Sequence, residues 1–341
     1  MKREKTAPMT KAERITAAIR GDAVDRVPYS LWSYLPMIDL DPAANAEHTY
    51  DFYKTYDVDI LKTMNNGMYS VEDFGVTVDY SDIERGGVAK IIFTPVHTPE
   101  DWLKVKPVSL HEGALAREQD YLKRLLKKTN GEVPVIFTVF SPLTTANKLC
   151  PHMMEHIASG HGEQVKAALT AITETTCALV QRVIELGADG IFFATQLSSY
   201  DLVKEDLYKE YGMPYDIAVL SASQGWCNVL HAHGKHIMFP LLRKYPIQIF
   251  NWHAFESLPG IHEAQVMTGK CIMAGLERMD ITDGHKNEIE HQIYETLRET
   301  GGRHVILSPG CVIRYPLDRD MLSFVRKAKE EIEERLLRNR D

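Results

Sequence analysis

The chain has 341 residues, 44% hydrophobic and 25% charged, with a formal charge of -8 at pH 7. This composition describes a soluble globular protein long enough for a large core. Scattered Lys and Arg form no basic stripe for nucleic acid, and no apolar run is long enough to span a membrane. The segment Met1 to Thr10 is polar and lacks the apolar stretch of a signal peptide. Five cysteines, Cys150, Cys177, Cys227, Cys271 and Cys311, are odd in number and irregularly spaced. They argue against a disulfide framework and for a reducing cytoplasm.

Strand and helix patterns alternate along the chain. A helical extension is expected over 8–22, then strands over 27–32, 59–64, 134–140, 188–195, 227–233, 247–253, 271–277 and 304–311. Several strand cores are apolar throughout, such as Val135-Ile136-Phe137 and Gly190-Ile191-Phe192-Phe193. Such runs suit parallel strands covered on both faces. Between strands, Val165, Leu169, Ile172, Thr176, Leu179 and Val183 make one helical stripe over 161–186, and Met321, Val325, Ala328, Ile332 and Leu336 make another over 318–338. Eight such units predict a single (β/α)8 TIM barrel covering 1–341. The rival, an open doubly wound sheet, lacks a Gly-x-Gly-x-x-Gly after an early strand. The period breaks at 65–107, where Tyr69 to Gly75 and Val88 to Phe93 flank Arg85-Gly86-Gly87; this predicts a β-hairpin inserted after strand two.

In such barrels chemistry collects at the carboxyl ends of strands. The polar residues there are Asn65-Asn66, Ser141, Thr195-Gln196, His231 and His233, Asn251-Trp252-His253, Glu277 and Cys311. Residues i and i+2 of a strand share a face, so His231 and His233 point the same way. With Cys311 they make a three-ligand metal set with an open fourth position, the pattern of a catalytic zinc site. A histidine that ends a strand can equally serve a local hydrogen bond. His253 is a fourth ligand, an orienting residue or a substrate contact. Glu277 is a general acid or base, or an ion-pair partner at the rim. Asn65, Gln196 and Asn251 are candidates for holding a substrate, and Trp32 and Tyr34, with Met64, for an apolar wall.

These residues resemble a known family. Thr10-Lys11-Ala12-Glu13-Arg14, Gly21, Asp25-Arg26-Val27-Pro28, Gly187-Ala188-Asp189-Gly190, Tyr211 to Tyr215, His231 with Gly234, and Ser308-Pro309-Gly310-Cys311 are similar to segments of the uroporphyrinogen decarboxylase superfamily. The resemblance covers nearly the whole chain and implies the barrel. The superfamily contains true decarboxylases and zinc-dependent methyltransferases that work with corrinoid proteins. The chain departs from the decarboxylase pattern: Leu31 to Pro36 lacks the arginine-rich segment, Asn65-Asn66 replaces an aspartate, Thr144-Thr145-Ala146 lacks a tyrosine, and Cys311 stands for a histidine. Porphyrinogen carboxylates need cationic anchors, and those positions have lost them.

The methyltransferase branch fits better. Its zinc ligands resemble a His-x-Cys pair and a late Cys; His231 and Cys311 match, and His233 stands where the first cysteine would be. One thiolate fewer leaves zinc at about +1, a stronger Lewis acid. The resemblance therefore implies zinc, a methyl group moved from an O- or N-methylated small molecule to a corrinoid (cobalamin) carried by a partner protein, and a homodimer. A metal-free carboxy-lyase acting on a porphyrinogen or other carboxylate is the alternative.

Overall fold

The computed structural model of the chain describes residues 7–81 and 89–338. Its strands are β1 (Leu61–Lys62), β2 (Thr77–Asp79), β3 (Lys90–Phe93), β4 (Val135–Phe140), β5 (Gly190–Thr195), β6 (Val229–Ala232), β7 (Ile249–Trp252), β8 (Cys271–Leu276) and β9 (Val305–Pro309). Seven form one parallel sheet in the order β1-β4-β5-β6-β7-β8-β9. Every residue of these seven strands is buried, which accounts for their mostly apolar character, with Lys62, Thr138, Thr195, His231, Asn251 and Ser308 as the polar exceptions. Helices such as Gly162–Glu185 connect successive strands and Arg319–Arg338 follows the last one; the apolar stripes of both pack on the core. The result is a curled, TIM-barrel-like arrangement.

The predicted first strand differs. Around Tyr29 the chain makes only isolated bridges, Tyr29 with Leu307 and Ser33 with Ile313. Leu307 N donates to Pro28 O, Ser30 N to Leu307 O, and Asp59 N to Tyr29 O, each at 2.9 Å. The segment thus touches both edges of the sheet without a continuous ladder. Pro28 has no N–H to contribute. The other predicted strands are trimmed at their ends. β6 stops before His233-Gly234 because Gly234 turns the chain with φ 91°, a conformation that favours glycine.

Within 65–107, residues Tyr69–Glu72 are helical, not extended. Tyr69 buries its ring and donates to Thr138 O at 2.7 Å, so tertiary packing overrides its strand preference. β2 and β3 pair antiparallel. The predicted turn Arg85-Gly86-Gly87 and Val88 lie outside the described residues.

The amino-terminal helix, Lys11–Arg20, starts with a capping box between Thr10 and Glu13. It delivers Arg14 to the amino ends of the strands, where the guanidinium grips Asp25 and the fully buried Asp59. No described helix is long and apolar enough to cross a membrane.

Candidate metal centre

His231 lies on β6, directly across from Asn251 on β7. The ring is buried and stacks on Phe192, with centroids 5.3 Å apart. Its Nδ1 is 2.5 Å from Asn251 Oδ1. Asn251 Nδ2 donates to Met273 O at 2.6 Å and to Pro309 O at 3.2 Å. With both amide hydrogens committed to carbonyls, Oδ1 must accept, so Nδ1 of His231 carries the proton and Nε2 keeps its lone pair.

His253 follows β7 by one residue and is treated in the same way. Its Nδ1 is 2.9 Å from Glu256 Oε1, while its Nε2 is buried with no hydrogen-bond partner. A carboxylate only accepts, so Nδ1 donates and Nε2 is again the free lone pair. Cys311 arrives from β9 through Gly310. A Cβ at Gly310 would sit 2.7 Å from Trp252 O and 2.8 Å from His253 Cα. Glycine there lets the two backbones close up and brings the thiol to the histidine.

The ligand atoms of His231, His253 and Cys311 lie within 4.8 Å of one another. His233 stands beside this trio, with its ring edge-on to His253 at 4.9 Å and 5.9 Å from His231. Burial holds His231 well below the usual histidine range, helped by His233 and His253. Burial also lowers His253, and pushes His233 down to about 4. Neutral imidazoles are what a metal requires. Burial pushes the Cys311 thiol up, opposed by Arg278 and Lys62. Two neutral imidazoles, one of them with an orphaned nitrogen, and a thiol suit a borderline divalent metal.

A cavity of about 130 Å³ opens on His231, His233 and Cys311 but is not lined by His253, and its walls include Trp32, Tyr34, Phe140, Phe192, Lys62 and Arg278. Tyr34 and Gln196 also line a larger outer cavity of about 310 Å³ with Asp39, Asn66, Tyr80 and Lys148. Burial pulls Lys62 down to about 7 and Lys148 to about 8, and raises Asp39 to about 6. Trp32 is fully buried, and its Nε1 has no partner.

The remaining expected site residues are spread more widely. Asn65 is buried away from both cavities, donating to Glu118 at 2.8 Å and accepting from Thr63. Asn251 is spent on His231 and two carbonyls. Glu277 caps the helix Arg278–Asp283 by accepting from Met279 N at 3.1 Å, and it is absent from the walls of both cavities. Lys62, Arg278 and Lys148 were not anticipated. Lys62 did leave a signal, a single charge within Ile60-Leu61-Lys62-Thr63-Met64.

Residues 10–331 match the uroporphyrinogen decarboxylase (URO-D) family. The chain is 24% identical over 230 residues to the methylcobamide:CoM methyltransferase MtbA of Methanosarcina acetivorans, covering 62% of this chain and 66% of that relative, just under two thirds of its length. It is 24% identical to the methylated-thiol–coenzyme M methyltransferase of Methanosarcina mazei, over 94% of this chain and 90% of the relative. A solved methyltransferase from Methanosarcina mazei superposes with a TM-score of 0.81 at 18% identity, covering 95% of this chain and 99% of that one. The chain belongs to the uroporphyrinogen decarboxylase (URO-D) family, on the side that these methyltransferases represent.

Proposed function

We propose that the protein is a zinc-dependent methyltransferase that moves a methyl group from an O- or N-methylated small molecule to a corrinoid on a partner protein. The observation that carries this reading is the convergence of His231, His253 and Cys311, with Nε2 of His253 buried and unpartnered. These three would hold zinc, with Asn251 and Glu256 fixing the two ring tautomers from behind. Bound there with one thiolate, zinc would supply a Lewis acid of about +1 at the heteroatom that bears the methyl group. In this reading His253 joins His231 and Cys311 as the third ligand, in place of the His233 that spacing suggested. His233 remains at the cavity wall as a neutral imidazole, placed to hydrogen-bond a substrate.

The chain's own residues then position and enclose. Trp32, Phe140 and Phe192 make apolar walls that keep water from the reacting group. Around the mouth, the loops after β5, β7 and β9 expose Tyr200 and Leu202, Phe255 and Leu258, and Tyr315. Exposed apolar groups on one rim are the kind of surface a corrinoid protein would cover. The same reading takes the Tyr29 segment as the eighth stave of a closed barrel, β2 and β3 as the inserted hairpin, and the whole chain as one domain of a cytoplasmic homodimer.

The carboxy-lyase alternative draws on one observation, the cations Lys62 and Arg278 in the cavity wall. Metal analysis separates the two. The purified protein should hold about one zinc per chain, and His253→Ala and Cys311→Ala should each lose most of it, while His233→Ala keeps it. Equal zinc in wild type, His253→Ala and Cys311→Ala, or none in any, would overturn the proposal.

A further inference from the structure

The outer cavity of about 310 Å³ has one carboxylate in its wall, that of Asp39. The residue is 6% exposed. Its side-chain partner among the described residues is the Asn66 amide, with Nδ2 3.2 Å from Oδ1. Asn66 Oδ1 accepts from Met68 N at 2.9 Å and lies 3.1 Å from the Tyr80 hydroxyl. That fixes the amide, so Nδ2 faces Asp39 and addresses it as an acceptor. One carboxylate oxygen is answered, and no described side chain bonds to the other.

The positive charge nearby is committed elsewhere. Arg117 pairs with Glu72 at 2.9 Å and with Glu118 at 3.1 Å. Three carboxyl groups thus share one guanidinium, and burial raises Asp39 to about 6 and Glu118 to about 7. Lys148, also in the cavity wall, donates to Gly67 O at 3.1 Å and lies 4.9 Å from the Phe140 ring centre. No ion pair joins it to Asp39.

A buried carboxylate without a counter-charge forfeits its hydration without recompense. The wall around this one is aromatic and apolar, with Tyr34, Tyr80, Met68 and Pro36. An alkylated ammonium suits such a wall. It brings the missing positive charge, and its alkyl groups meet tyrosine and apolar side chains. It also asks for few acceptors, whereas a primary ammonium has three N–H groups to satisfy.

We infer that the outer cavity binds the alkylated ammonium group of a substrate, with Asp39 as the counter-charge and Tyr34 and Tyr80 as aromatic walls. Tyr34 and Gln196 border both cavities. A molecule with its methyl-bearing heteroatom at the metal cluster therefore places its far end here. The site rests on the methyltransferase reading in that one respect, and it narrows the substrate to a molecule with a cationic end. Binding of the cation itself needs no metal.

The test is a calorimetric titration of the full chain, zinc-loaded and metal-free, at constant ionic strength and about pH 8, where the Asp39 carboxylate is ionised. The probes are choline and 3,3-dimethylbutan-1-ol, in which carbon replaces the nitrogen and the charge is gone. Choline should bind about tenfold or more tightly than the alcohol. Asp39→Asn keeps the shape of the wall and should bring that ratio within about threefold, with zinc content unchanged. Tyr34→Leu leaves the carboxylate in place and should cut the choline advantage about two- to fivefold. Binding of the two probes within about twofold of each other in the wild type overturns the inference. So does binding of neither, or a choline preference that survives Asp39→Asn. If Asp39→Asn does not fold, Tyr34→Leu decides, and an unchanged preference there sinks the site. Zinc is counted in the same samples, which keeps the two claims apart. Zinc bound with no choline preference removes only the cation site. Choline preference in protein that never takes up zinc removes the methyltransferase reading and leaves the cation site standing.

Discussion

The two ends of β1 treat charge in opposite ways. At its amino end, Asp59 is fully buried and fully paired: it accepts from Arg14 at 2.8 Å, from both Nη atoms of Arg26 at 2.7 and 2.8 Å, and from Tyr29 N at 3.0 Å. Three residues on, at the carboxyl end, Lys62 is buried too and, among the described residues, has no carboxylate beside it. The first arrangement is closed and ties the amino-terminal helix, the Tyr29 segment and β1 together. The second is open, and it faces the cavity. A barrel can hold its stabilising charges at one end and its reactive ones at the other because the sheet between them is apolar and close-packed. At this strand the paired carboxylate ties the fold together, and the lysine without a carboxylate partner faces the cavity.

Breaking the closed end should cost most. Asp59→Ala leaves two guanidinium groups facing a buried void, and loss of one partner of a buried pair costs about 3–5 kcal/mol. Chemical denaturation should show that loss in full; a change near zero would mean that the amino-terminal network is incidental. At the open end, Asn251→Leu removes the group that sets the His231 tautomer. Loss of such a partner weakens metal binding by about 10–100-fold, to be read by competition with a chelator of known affinity. Unchanged affinity would show that Asn251 does not orient the ring.

Acid should then separate the two ends. Burial works to raise Asp25, but the Arg14 fork and the N–H of Met9 outweigh it and hold the carboxyl at about 2, below its ordinary 3.8. A depressed folded value means that the stability is present above the unfolded value and is lost as pH falls from about 4 through about 2. The contribution is about 2 kcal/mol. Asp25→Asn should flatten the stability curve in that window, and an unchanged acid slope would contradict the assignment. The smallest effect is expected at Lys62. Exchange of an unpaired buried ammonium for a thioether of similar length should leave stability within about 1 kcal/mol or raise it. A large loss in Lys62→Met would show that the ammonium serves the fold and would erase the contrast between the ends.

Much of the framework was legible because it is local. Short runs, often apolar throughout, between helical stripes marked β4 through β9, and their alternation with helices marked a parallel sheet. The Tyr29 segment was less legible: its apolar residues look like a strand, while Pro28 and the two sheet edges decide that it makes bridges. Tyr69 to Glu72 read as extended from Tyr and Val, yet burial of Tyr69 against Thr138 makes the segment helical. At the site, spacing within one strand puts His231 and His233 on one face. Which imidazole reaches Cys311 depends on how near β9 comes to β7, and that is set by Gly310 against Trp252 and His253. Such a contact joins distant parts of the chain and has no periodic signature. Lys62 and Arg278 stayed hidden for the same reason, since being unpaired is a property of neighbours that only folding assembles.

Zinc-edge X-ray absorption of the zinc-loaded wild type, with His253→Ala and Cys311→Ala alongside, tests the central claim most directly. In the wild type, one sulfur at about 2.3 Å and two imidazole nitrogens at about 2.0–2.1 Å are expected. The sulfur shell should vanish in Cys311→Ala and one nitrogen in His253→Ala. A wild-type spectrum without sulfur, or one unchanged in both variants, would show that the metal is held elsewhere and that the convergence of these three side chains is not a metal site.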